Sequence, residues 1–141
     1  MDSLKIIALV VAWLLTAFLA ITYFKAGSFK LTAPISKLVE AGMAWAKAIP
    51  AGLVRTIAAL EILGAAGIIL APIASEFLGF AWAQVWGILA AYGLTLTMLV
   101  GATMHVVRGE FKYTFKINIA LVLASTVLAV LLSYFGGSVF G

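Results

Sequence analysis

The stretch LVRTIAALEILGAAGIILAPI, residues 53–73, decides the fold of this chain. It is long enough to cross the hydrocarbon core of a bilayer, which takes about 20 mostly apolar residues in one helix. It holds a basic residue, Arg55, near its start and an acid, Glu61, well inside it. We therefore predict a membrane-spanning helix that carries a carboxyl group within the bilayer.

Three further apolar stretches have the same length and character. They cover residues 4–24, 82–107 and 115–135. Together the four spans leave no segment for a soluble domain. We predict an all-α integral membrane four-helix bundle, with residues 1–141 forming one transmembrane domain.

The composition excludes several classes of protein. Of the 141 residues, 65% are hydrophobic and only 10% are charged, whereas a soluble domain carries about a quarter charged residues. A soluble globular domain, a disordered chain and a nucleic-acid-binding protein are therefore excluded. The chain has no cysteine and a single histidine, so we expect no disulfide, iron–sulfur cluster or zinc site.

The loop between the first two spans has helical periodicity of its own. Apolar residues recur at Ile35, Leu38 and Val39, and Pro34 and Pro50 suit a helix start and stop. We predict a short amphipathic interfacial helix over about 34–48. It would cap the bundle, with Trp45 as an anchor in the membrane interface.

The basic residues indicate the orientation in the membrane. Lys5 lies on one predicted side, and the other side carries Lys25, Lys30, Lys37, Lys47, Arg55, Arg108, Lys112 and Lys116. Lysine and arginine concentrate on the cytoplasmic side of membrane proteins. We predict a multi-pass protein of the cytoplasmic membrane with both termini outside the cytoplasm.

Small residues in the spans predict helix contacts, because they let two backbones approach closely in lipid. The second span carries Gly64 and Gly67. The third carries Gly93, Thr97, Gly101 and His105, each four residues after the one before. We expect these stripes to face the inside of the bundle.

Glu61 is the most informative single residue. It lies about 12 Å into its span at 1.5 Å per residue, where an unpaired charge costs at least about 2.5 kcal/mol. It therefore either handles protons or binds a buried ligand, or it ties two helices together. Arg55 lies on another face of the same helix, so we expect it to reach the interface rather than to pair with Glu61.

The other candidates for ligand binding or proton handling lie at the end of the third span. They are Thr97, His105, Arg108 and Glu110. His105 either donates a hydrogen bond to Glu61 or to a ligand carbonyl, or it faces lipid headgroups. Gly109 is expected to end the third helix within this charged turn.

Three segments resemble the DoxX-like family of membrane proteins. Residues 55–70, RTIAALEILGAAGIIL, look like the second helix of that family, with its Glu-x-x-Gly signature. His105–Glu110 resembles its motif at the end of the third helix, and Phe29–Pro34 resembles its first loop. The similarity extends over nearly the whole chain in the order of spans and the placement of motifs.

The resemblance implies a bacterial or archaeal membrane protein with four helices. Some members of the family are linked to quinone-reducing sulfur oxidation or to membrane redox complexes. Glu61, Gly64, His105 and Glu110 match motif positions, although no catalytic role is established for these positions across the family.

Three interpretations of the function compete. In the first, the chain is a redox-associated subunit that holds a quinone-like, lipid-soluble molecule, and the redox centre belongs to a partner. In the second, it is a structural or assembly subunit of a larger membrane complex. A small-molecule or proton carrier is the weakest interpretation. All three predict contact with the bilayer, and with a membrane-protein partner or further copies of the chain. No catalytic constellation indicates a stand-alone enzyme.

Overall fold

The structure is a computed structural model that describes residues 3–109 and 111–135. Four long helices dominate it, with two short helical pieces between the first and second of them. The helices are α1 (Ser3–Thr32), α2 (Ile35–Glu40), a 3₁₀ turn (Ala44–Lys47), α3 (Ala51–Glu76), α4 (Trp82–Val107) and α5 (Phe111–Phe135).

The four long helices form a closed ring. α1 packs against α3, α3 against α4, α4 against α5, and α5 returns to α1. Neighbours in this order run antiparallel, so one end of the bundle joins the C-termini of α1 and α4 to the N-termini of α3 and α5. We call it the Lys30 end, because Lys30 lies in the last turn of α1.

Small side chains dominate the interior of the ring. The largest buried cluster combines alanines from all four helices with a few large residues, among them Leu19, Tyr23, Ile68, Leu94 and Leu128. Alanine lets helices approach closely. Because lipid is as apolar as the side chains, van der Waals packing of this kind, and not the hydrophobic effect, holds helices together in a membrane.

Large apolar side chains cover the outside of the bundle. Leu14, Leu63, Leu89 and Leu96 are among those that are mostly exposed. All four long helices are long and apolar enough to cross a membrane. A bundle that is apolar both inside and outside is suited to lipid rather than to water, which confirms the predicted all-α membrane-spanning four-helix fold.

The first helix is longer than the predicted span of 4–24. It continues to Thr32, so Lys25 and Lys30 lie on the helix and not in a loop. The single Gly27 between them is tolerated within the helix. The first residue that ends it is Pro34, which also disfavours the α conformation at the residue before it.

The predicted single helix over 34–48 is two pieces. α2 ends at Glu40, and the 3₁₀ turn begins at Ala44. Between them Gly42 adopts φ +95°, a conformation that other residues rarely adopt. Trp45 is also not a lipid anchor, because only 5% of its surface is exposed and it packs against Leu38 and Val54.

The remaining helix bounds lie near the predicted ones. α3 begins two residues before the predicted span and continues past Pro72 to Glu76. α4 has the predicted bounds, and α5 begins four residues earlier than predicted. Gly109, at φ +73°, closes the turn after α4, as expected of a glycine that ends a helix.

Candidate functional site

A buried ion pair joins α1 to α3 at the Lys30 end. Lys30 Nζ donates to Glu61 Oε1 over 2.6 Å. The two side chains are only 11% and 4% exposed. Since a charge in this environment is costly unless it is paired, the pair accounts for how both groups are accommodated inside the bundle.

Helix geometry brings the two side chains together. Side chains on a helix tilt toward its N-terminus. Lys30 therefore points from the end of α1 into the bundle, and Glu61 points from the middle of α3 back toward the Lys30 end. The two helices also approach closely here, because a Cβ added to Gly27 would lie 2.7 Å from Ile62 Cγ1 and 3.0 Å from the Ala58 carbonyl oxygen.

Arg55 supports the pair from the backbone side. Its Nη1 donates to the carbonyl oxygen of Lys30. In a continuing helix this oxygen would accept from the N–H of residue 34, but that residue is Pro34, which has none. Arg55 therefore satisfies the end of α1, and its charge suits a helix C-terminus. That it also reaches the membrane interface stays a prediction.

Two aromatic residues flank the pair. The Trp45 ring lies over the Lys30 ammonium, with 5.8 Å between Nζ and the ring centroid, a cation–π distance. Deeper in the bundle the fully buried Tyr23 donates its hydroxyl to the Leu94 carbonyl oxygen over 3.3 Å. α1, α3, α4 and the segment between α1 and α3 thus all contribute to the surroundings of the pair.

The second oxygen of the carboxyl group is not satisfied. Glu61 Oε2 is buried and has no hydrogen-bond partner within the described part of the chain. A buried acceptor without a partner costs about 1–3 kcal/mol. Glu61 is therefore half paired, with one oxygen on Lys30 and one able to accept from a donor that enters the site.

An apolar groove of about 500 Å³ lies on the outer surface between α1 and α3. Its walls are Ala20, Ile21, Phe24 and Lys25 from α1 and Ala65, Ala66, Ile69 and Leu70 from α3. Several of these side chains, such as Ile21 and Phe24, are exposed, so the groove opens sideways from the bundle. Lys25 is the one charged residue in its lining.

Three of the other predicted site residues lie on α4 or directly after it. Thr97 is partly exposed and donates its hydroxyl to the Gly93 carbonyl oxygen. His105 is half-buried in the last turn of α4, and Arg108 is exposed just after it. Glu61, which is one of the partners that we considered for His105, is bonded to Lys30. Glu110 lies outside the described residues.

The predicted packing glycines occupy two kinds of position. An added Cβ on Gly64 would meet Leu94, and one on Gly67 would meet Ala90 at 2.8 Å, so both lie at the α3–α4 contact. An added Cβ on Gly93 or Gly101 would meet no described atom within 4 Å. The buried face of α4 consists instead of Ala83, Gly87, Ala91 and Leu94.

Sequence reasoning missed Lys30 and Trp45. The sequence predicts Lys30 in the first loop and Trp45 on an interfacial helix, which separates both from Glu61. The spacing of Tyr23, Gly27 and Lys30, at four and then three residues, is the signal that places all three on one helix face.

The DoxX-like family matches residues 14–133. The chain belongs to the DoxX-like family. The match covers all of α3 and α4, with most of α1 and α5, and it confirms the resemblance found in the sequence. No curated protein and no solved structure matches this DoxX-like chain.

In the described ranges of the DoxX-like chain, no three or more His, Cys, Asp or Glu side chains come together as a metal site would require. Within the described ranges, Lys30 contacts the Glu61 carboxylate through its ammonium and Arg55 through its carbonyl oxygen. This arrangement can hold a proton or accept a hydrogen bond.

Proposed function

We propose that this DoxX-like protein is a redox-associated membrane subunit that holds a quinone-like, lipid-soluble molecule in the groove between α1 and α3. The groove is the observation that carries the proposal. Its volume of about 500 Å³ falls within the range of about 300–1,000 Å³ typical of small-molecule sites. In a bilayer its sideways opening lets a ligand enter from the lipid.

The lining residues fit the chemistry of such a ligand. A lipid-soluble quinone has a flat ring and an apolar tail, and its carbonyl oxygens are its main hydrogen-bond acceptors. Phe24 offers an aromatic surface and Lys25 an ammonium that can donate to a carbonyl oxygen. Bound there, the ligand would carry electrons for a partner protein, because this chain has no cysteine and one histidine with which to hold a redox centre.

The buried ion pair is the proton-handling part of the proposal. Ala65 lines the groove one helical turn after Glu61 on α3, so the groove and the carboxyl group are built on the same two helices. Glu61 Oε2 can accept a proton or a hydrogen bond, since no described group occupies it. Lys30 holds the carboxyl group in place.

The test is to purify the protein in native lipid, extract it with organic solvent and search the extract chromatographically for a quinone. We expect stoichiometric quinone in the unmodified protein and little in Ala66→Phe, because the added ring fills the groove. Leu63→Phe is the matched control, since Leu63 is exposed on the same helix and does not line the groove. Extracts without quinone, or equal retention in both variants, would refute the proposal.

A structural or assembly function is the second candidate, and the Lys30–Glu61 pair favours it. The pair ties α1 to α3, which is what a subunit without a ligand would need from an intramembrane acid. This function predicts that Ala66→Phe leaves a copurifying membrane partner in place, whereas Glu61→Gln, which loosens the α1–α3 contact, releases it.

A further inference from the structure

The position of the Lys30–Glu61 pair along the bundle does not explain why both side chains are buried. Lys30 lies two residues before the end of α1, where a helix normally leaves the membrane and meets water. Its side chain is nonetheless 11% exposed and that of Glu61 4%. Another part of the chain must therefore cover the pair at this end of the bundle.

The cover consists of residues 33–50, the segment between α1 and α3. It contributes Leu38, Trp45 and Ala46 to a second apolar cluster, which packs on Val54 of α3. Met104 of α4 packs against the same cluster. The Trp45 ring closes the space directly over Lys30. We call this segment the cover.

The cover is attached mainly by apolar packing. Its one described ion pair, Lys37–Glu40, is internal to it and exposed. Pro34 and Pro50 lie near its two ends in extended conformations. Gly42 separates α2 from the 3₁₀ turn within it. Short segments held by few apolar contacts open locally at lower free energy than the helices they rest on.

Opening the cover would also relieve an unfavourable feature beneath it. Glu61 Oε2 has no partner among the described groups while the cover is closed, and water would supply one. Lys30 of α1 is the charged group that contacts the carboxyl, whereas Arg55 of α3 contacts the backbone carbonyl oxygen of Lys30. Tyr23 donates to the Leu94 carbonyl oxygen and so leaves Oε2 unpaired.

We infer that the cover is a gate, and that the Lys30–Glu61 pair exchanges protons with water at the Lys30 end only when Trp45 and its neighbours lift away. The closed state isolates the pair from the aqueous phase. The open state hydrates Glu61 Oε2 and lets a proton pass between the carboxyl group and water. The gate is independent of the groove, so the extraction experiment above can fail without affecting it.

A water-soluble carbodiimide tests the gate. It activates a carboxyl group that it can reach, and an adjacent amine then attacks to form an amide. Because Lys30 Nζ lies 2.6 Å from Glu61 Oε1, the expected product is a Lys30–Glu61 amide, lighter by one water and identifiable by peptide mass spectrometry. Glu40, with a side chain 68% exposed, reports reagent activity in every sample.

Three proteins are compared: the unmodified chain, Trp45→Ala and Trp82→Ala. Trp82→Ala is the matched control, since it removes an exposed indole from the opposite end of the bundle. We expect the amide to form at least about tenfold faster in Trp45→Ala than in the unmodified chain, because burial of the indole and its cation–π contact oppose opening. Trp82→Ala should match the unmodified chain.

Equal rates in the unmodified chain and Trp45→Ala would overturn the gate, as would an equal acceleration in Trp82→Ala. Hydrogen exchange on the unmodified chain gives a readout that no folding defect can disturb. Amides of 38–48 should exchange well before those at the centre of α3, and exchange of both at one common rate would contradict a cover that opens by itself.

Discussion

At the scale of single residues, the Lys30–Glu61 pair makes the strongest prediction. Glu61→Gln leaves the Lys30 ammonium buried without a counter-charge. Breaking a buried pair in this way costs about 3–5 kcal/mol of the free energy of unfolding. We expect a loss of that size, measured by denaturant unfolding in detergent and followed by tryptophan fluorescence.

The double variant Lys30→Met/Glu61→Gln is the control for this prediction. It removes both charges, and the replacement of a buried pair by neutral groups is often close to neutral for stability. We expect it to recover most of the loss, which gives a coupling energy of several kcal/mol in a double-mutant cycle. Additive losses from the two single variants would show that the pair does not act as a unit.

Arg55 supplies a second prediction at this scale. Arg55→Met removes the donor to the Lys30 carbonyl oxygen and should lower the free energy of unfolding by about 1–3 kcal/mol. Adding Pro34→Ala should restore part of the loss, because residue 34 then has an N–H that can reach the same oxygen. Without any rescue, the role of Arg55 at the end of α1 would be wrong.

The sequence singled out Glu61 but not its partner, for a physical reason. An intramembrane acid stands out in an apolar span, whatever the rest of the chain does. Lys30 stands out only once α1 is known to extend beyond residue 24, and in isolation a lysine near the end of a span is expected to reach the interface. What decides its position is the tertiary contact with Glu61.

At the scale of the helices, the α1–α3 contact depends on Gly27. Gly27→Ala should destabilise the bundle by about 1–3 kcal/mol, the usual cost of overpacking, because the Ala58 backbone cannot move aside as a side chain could. It should also slow formation of the Lys30–Glu61 amide, since the helices move apart. Unfolding and cross-linking of the same sample measure both effects.

Gly93→Ala is the matched control on α4. Its added methyl group meets no described atom within 4 Å, and alanine is a better helix former than glycine by up to about 1 kcal/mol. The variant should therefore be neutral or slightly more stable. A loss as large as that of Gly27→Ala would indicate that this face of α4 is packed against another molecule.

The sequence predicts the bounds of α4 correctly but not which of its faces is buried. The bounds of α4 follow from an uninterrupted apolar run and from Gly109, and both are legible in the sequence. Its packing face is not, because alanine and glycine occur on several sides of the helix. Ala83 and Ala91 are buried while Gly93 is exposed, and only the positions of α3 and α5 distinguish them.

At the scale of the whole molecule, the ring of four antiparallel helices places the start of α1 and the end of α5 on the side opposite the Lys30 end. That end also carries the cover, and most of the basic residues lie near it: Lys25, Lys30, Lys37, Lys47, Arg55 and Arg108. Since basic residues mark the cytoplasmic side, we expect the gate to open toward the cytoplasm.

The absence of native cysteines makes this orientation directly testable. Lys37→Cys places a thiol on the exposed surface of the cover, and Leu78→Cys places one in the exposed turn between α3 and α4. In intact cells a membrane-impermeant maleimide should label Leu78→Cys, whereas Lys37→Cys should react only after the membrane is permeabilised. The reverse pattern would place the gate, and proton exchange at Glu61, on the outer face of the membrane.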